Sequence, residues 1–166
     1  MIDIWGSEYS DEEIANYNPF YVSFIIINFI KYYCNTSNKP VSSNLIFLAV
    51  PMSIANFSSR RLPKTVSTSL DKWASENDGL MVSMPYVIES ICPFIVSSIY
   101  LLEKCNIIEV DLDGFISLKG NVKMLKDDGS MTSSMKEAIR ASTMLGKWFA
   151  KSDSESSIFS RLGVKP

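Results

Sequence analysis

Between Pro85 and Leu118 the chain changes its periodicity, and that change restricts its fold more than any other feature. From Pro85 to Cys105 apolar residues recur at helical spacing, with Ile91, Ile95, Ile99 and Leu102 on one stripe. Directly afterwards, Ile107 to Leu118 reads as strand, turn and strand. The turn Asp111-Leu112-Asp113-Gly114 holds residues that tolerate positive φ, flanked by β-branched and aromatic positions. A shorter helical pattern over Thr68 to Asn77, carrying Leu70, Trp73 and Ala74, precedes both. Helix, helix and hairpin in that order predict a mostly α (α+β) fold: a winged-helix-like domain with a small β-hairpin wing and flanking helices. Modules of this kind present surfaces to nucleic acid or protein and rarely carry catalysis themselves.

The flanking sequence fits a single winged-helix-like domain over residues 1–166, with an N-terminal arm at 1–14 and a C-terminal tail at 152–166. Trp5 sits in the acidic arm, which reads either as a frayed terminus or as a docking element. Asn18-Pro19 is a helix start, with Asn as cap and Pro at the first helical position. The helix to about Tyr33 has polar residues only at Ser23, Asn28 and Lys31, within about 140° of one another. So apolar a helix is buried nearly all round, by its own core, a partner or both. Phe20, Phe24 and Ile27 are its candidate partner contacts.

Asn35 to Ser42 reads as a polar connection, and Ser42 or Ser43 caps a short helix, Asn44 to Val50, that Pro51 ends or kinks. Ala55 to Lys64 reads as a loop with Arg60, Arg61 and Lys64. Pro93 is expected to kink or split the long helix. A loop from Lys119 to Ser130 leads to a last long helix, Ser133 to Lys151, with Met135, Ala138, Ile139, Leu145 and Phe149 on its apolar face. On another side Lys136, Arg140, Lys147 and Lys151 fall within about 60° in projection. That stripe is either a solvated face or a contact for DNA phosphates or an acidic partner.

Composition excludes most chemistry. The chain has no histidine, which removes the commonest general base, most transition-metal sites and every Ser–His–Asp or Cys–His nucleophile. It contains neither a GxxxxGK[ST] phosphate loop nor a GxGxxG. Asp111 and Asp113 begin like a calcium loop, but Phe115 and Val122 stand where oxygen ligands are required. No enzyme, cofactor or metal is expected. Three cysteines without a CxxC pair (Cys34, Cys92, Cys105) fit reduced, packed thiols. Met1 to Glu13 lacks a basic start followed by an apolar core, and Phe20 to Ile30 is too short to span a bilayer, so a cytoplasmic protein with no membrane partner is expected.

The net charge of −2 gives no overall case for nucleic acid, but the charge is uneven. Residues 1–56 hold two Lys against five acids (−3), and residues 119–166 hold nine Lys or Arg against five acids (+4). Opposite ends of the chain are therefore suited to different partners. Nine Phe, seven Tyr, three Trp and eight Met are more than a domain of this size hides, so some are expected in an interface.

A set of ordered landmarks then narrows the function. These are Asn18-Pro19-Phe20, Leu45 to Pro51, Leu62-Pro63 followed by Thr68-Ser69-Leu70 and Trp73, Pro93, the hairpin, and the ending Ile158-Phe159-Ser160-Arg161-Leu162-Gly163-Val164-Lys165-Pro166. Over about residues 15–166 they resemble the middle component of bacterial three-component ABC systems, close to the accessory subunit of Lamassu-type anti-phage defence. The resemblance implies a non-catalytic bridging subunit between an SMC-like ABC ATPase and an effector nuclease, which helps control effector activation on DNA sensing, with DNA reached through the complex. Ile158, Phe159, Leu162 and Val164 join Phe20, Phe24 and Ile27 as expected partner contacts. The competing class is a stand-alone winged-helix transcriptional regulator. It is disfavoured because Thr68 to Cys105 has only Lys72 and Lys104 against Asp71, Glu76, Asp78, Glu89 and Glu103.

Overall fold

The computed structural model describes residues 18–120, 122, 129 and 131–164. The arm with Trp5, the Asp127-Asp128 pair and Lys165-Pro166 lie outside the described residues. The elements run α1 (Pro19–Ser37), β1 (Val41–Ser42), α2 (Ser43–Ile54), α3 (Asn56–Ser59), α4 (Leu70–Glu76), α5 (Asp78–Met81), α6 (Met84–Lys104), β2 (Ile108–Val110), β3 (Phe115–Leu118), α7 (Ser133–Ala150) and α8 (Glu155–Leu162).

Local chemistry accounts for most boundaries. Asn18 Oδ1 accepts the N–H groups of Phe20 (2.8 Å) and Tyr21 (3.4 Å), satisfying two of the donors that a helix start leaves free. Ser69 and Thr132 cap α4 and α7 in the same way, through the N–H groups of Lys72 and Met135. At the hairpin, Asp111 Oδ1 accepts the N–H groups of Asp113 and Phe115, and Gly114 takes a φ of 81°. Those turn bonds account for the Asp-rich spacing that superficially matched a calcium loop.

Two prolines do less than expected. Pro51 lies inside α2 and Pro93 inside α6, and both helices continue past them. Each removes one backbone donor, but the residues on either side of Pro51 are buried, so packing holds the helix across the missing bond. The structure also adds a strand that the sequence does not announce. Val41 and Ser42 pair antiparallel with Ile116 and Phe115, giving a three-stranded sheet in the order β1-β3-β2. In the second ladder Ile108 faces Leu118.

The core is built on α1, which packs against α7 and α6, while α2 packs against the same two helices. Gly146 sets the approach of α7 to α1. A Cβ there would stand 2.8 Å from the carbonyl oxygen of Phe29 and 3.1 Å from the Tyr33 nitrogen, so only glycine fits. Beside it Phe29 meets Phe149 edge-on, with ring centroids 6.0 Å apart. The polar sector of α1 is used as well. Asn28 is 3% exposed, and its Nδ2 lies 2.7 Å from Ser142 Oγ, 2.7 Å from Thr143 Oγ1 and 3.1 Å from the Ile139 carbonyl. A buried amide that finds partners on α7 fixes the register between the two helices.

Candidate functional site

The long helix α6 carries apolar side chains on two opposite sides. Met84, Ile91, Phe94, Ile95, Ser98 and Leu102 form the buried side. At 100° per residue, Tyr86, Glu89, Pro93, Val96 and Tyr100 fall within about 80°, centred about 180° from that buried stripe. Tyr86 is 75% exposed, Tyr100 61% and Val96 39%. The only charges placed on or beside this outer face are Glu89, Glu103 and Lys104, and Lys104 Nζ sits 5.1 Å from the Tyr100 ring centroid. By length and composition α6 is also apolar enough to cross a membrane, the one such helix among the described residues; here its buried stripe packs within the fold.

A groove flanks each end of α6. The first, about 850 Å³, is lined by Pro85, Ile88, Glu89, Cys92, Pro93 and Val96 of α6 and by Gly163 and Val164 after α8. The second, about 430 Å³, brings Phe20, Phe24 and Ile27 of α1 together with Leu101 and Cys105, and with Met131 and Met135 at the start of α7. Ser23, 6% exposed, lines this second groove with a hydroxyl that has no hydrogen-bond partner among the described residues. Beside it Tyr21 is buried enough to push its hydroxyl pKa up to about 12, so it stays neutral.

The expected partner contacts divide. Phe20 (74% exposed) and the half-buried Phe24 reach the surface of the second groove, whereas Ile27 lies at its floor. The expected tail is instead helix α8, capped by Ser154 and closed by Gly163 at φ 66°, with the Val164 N–H returning to the Phe159 carbonyl. Ile158, Phe159 and Leu162 belong to the chain's own core. An eight-residue amphipathic helix gains more by burying this face at home than by leaving it in water. Arg161 pins the helix through Asp71 (2.9 Å) and Asp153 (3.7 Å). Of the tail residues, Val164 remains at a groove.

The basic stripe of α7 also divides. Arg140 is a structural clamp: Nη2 lies 2.6 Å from Glu137 Oε1 and donates to the Ser59 carbonyl at 2.8 Å, and Nη1 reaches the Pro63 carbonyl at 3.2 Å. The hydrogen bond from Arg140 holds the Glu137 carboxyl below the usual range, with Arg60 and Lys64 adding to the pull. Lys147 is exposed over Tyr32, 5.0 Å from the ring centroid, and Lys136 and Lys151 are exposed on the same side of α7. Two tryptophans hold the neighbouring segment. Trp73 and Trp148 pack edge-on at 5.8 Å, with Nε1 of Trp73 donating to the Arg61 carbonyl and Nε1 of Trp148 to that of Thr68.

Among the described residues no group of three or more His, Cys, Asp or Glu could hold a metal. The cysteines are unpaired. Cys34 is part-buried with its thiol pKa raised by burial, Cys92 lines the first groove, and Cys105 is exposed rather than packed. Sequence reasoning missed the second stripe of α6, although Tyr86, Val96 and Tyr100 were visible at helical spacing. It also missed the meeting of Arg60 and Lys64 with α7, for which no local signal exists.

No curated protein and no solved structure matches the chain. A family model does, over residues 6–166, nearly the whole length. On that match the chain, with its apolar grooves at either end of α6, belongs to the ABC-three component (ABC-3C) system Middle Component 3 family.

Proposed function

We propose that this chain is the non-catalytic adaptor of its three-component system. In this reading it joins an SMC-like ABC ATPase to an effector nuclease within a Lamassu-type anti-phage complex and helps hold the effector in check until DNA is sensed. The observation that carries the reading is the outer face of α6, where Tyr86, Val96 and Tyr100 stand exposed opposite the buried stripe. Aromatic side chains in a row with few charges are the composition of an interface core rather than of a solvated face. A groove at each end of that helix suits a protein that holds two partners at once.

The order α1, β1, α2, α6, β2, β3 with the sheet β1-β3-β2 supports a winged-helix reading, with α3 to α5 inserted before α6 and Leu112 at the wing tip. In that reading α6 stands where a recognition helix would enter a DNA groove. Its outer face offers Tyr, Val and Glu with Lys104 as its one cation among the described residues, which favours a protein partner over the stand-alone regulator.

The test is co-expression of the three components with an affinity tag on this chain. Wild type should retain the ATPase and effector subunits, and Y86S/V96S/Y100S should lose at least one of them while keeping its melting temperature. Full retention of both by the variant would refute the adaptor surface.

A further inference from the structure

The structure brings a second basic segment up against the stripe on α7. The loop after α3 contributes Arg60, Arg61 and Lys64, all exposed, and Arg140 staples it down through the carbonyls of Ser59, Leu62 and Pro63. Lys64 and Lys147 then line one groove of about 340 Å³ with Thr65, Val66, Thr143 and Met144. Arg60 and Lys64 lie near enough to Glu137 to be felt by its carboxylate. Among the described residues, Arg60, Arg61, Lys64, Lys147 and Lys151 form no ion pair. The one acid of α7, Glu137, is already neutralised by Arg140. A chain of net charge −2 thus gathers Arg60, Lys64, Lys147 and Lys151 at and beside one groove.

We infer that this composite face binds the phosphate backbone of a nucleic-acid duplex, without reading its sequence. The inference is independent of the adaptor reading, because it concerns a different surface and can be tested on the full chain alone. Lys147 and Lys151 stand one helical turn apart, about 6 Å along the axis, which at about 3.4 Å per phosphate on one strand spans about two phosphates, and Lys64 across the groove offers a further contact. Among the described residues no aromatic side chain lines the groove, and Tyr32 beside it lies under Lys147, so there is no row of rings on which successive bases of a single strand would stack. The groove also lacks the aromatic anchor around which protein interfaces concentrate their energy. Exposed Lys and Arg with neighbouring threonine hydroxyls suit phosphate oxygens, which position a protein on a duplex without specifying bases.

The experiment is fluorescence anisotropy of the full chain with a labelled DNA duplex of arbitrary sequence, over a salt series. The expected result is salt-dependent binding that weakens at least tenfold in K64E/K147E/K151E, with the slope of log K against log salt reduced by about two to three. The uncharged variant K64Q/K147Q/K151Q should lose affinity in the same direction, and circular dichroism should show both variants folded. Equal affinity of wild type and folded variants would overturn the inference. So would binding to poly-glutamate or to a single strand as tight as to the duplex.

Discussion

The contact between α1 and α7 and the outer face of α6 are both rich in large side chains, yet they resolve in opposite ways. At the first, Phe29 and Phe149 interlock, Gly146 admits the Phe29 backbone, and Asn28 finds its partners on α7. At the second, Tyr86, Val96 and Tyr100 face outward with their buried counterparts on the far side of the same helix. Hydrophobicity alone does not separate them. What separates them is whether a complementary surface is supplied, and among the described residues one is supplied at the α1–α7 contact and for only half of α6.

That contrast can be broken by substitution. The largest effect should come from Phe149→Ala, which opens a cavity between α1 and α7 and should cost about 3–5 kcal/mol in denaturant unfolding. Gly146→Val should follow closely, about 1–3 kcal/mol or more, because the added atoms collide with backbone rather than with a side chain that can swing away. Asn28→Ala should cost about 1–3 kcal/mol by removing the donor shared with Ser142 and Thr143. Tyr86→Ser and Tyr100→Ser should each shift stability by less than about 0.5 kcal/mol, as expected for surface positions, while weakening capture of partner subunits. If the α6 variants destabilise as much as the α1–α7 variants, the contrast fails.

The smallest effect is electrostatic. The Glu137 carboxyl is lowered in the folded chain, so its pairing with Arg140 contributes stability above the unfolded carboxylate range, near pH 4.3. That contribution should fade as pH falls through the lower folded value. Because the pair is partly exposed, the amount should stay below about 1 kcal/mol. Thermal melts of wild type and Glu137→Gln between pH 3 and 7 should converge at the acid end. A difference that grows toward low pH would contradict the assignment.

Much of the fold was legible because its determinants are local. The cap at Asn18, the helix start at Thr68 or Ser69, the Asp-rich turn and the apolar spacing of α6 each act within a few residues, so a linear reading finds them. Strand β1 was not legible, since two residues gain strand geometry only from a partner about seventy positions later. The same limit hid the basic face. The α7 stripe is periodic and visible, but the Arg140 clamp that brings Arg60 and Lys64 beside it is a tertiary event. The tail misled for a further reason: Ile158, Phe159 and Leu162 form an apolar stripe whether the surface that covers it is another subunit or α4 and its neighbours. Amphipathicity reports that a face is buried and says nothing of by whom.

The most direct measurement is amide hydrogen exchange on this chain, free and assembled with its partner subunits. If the outer face of α6 is a partner surface, exchange along residues 84–104 slows on assembly, with little change across the contact between α1 and α7. Unchanged exchange along 84–104 in a fully assembled complex would contradict it.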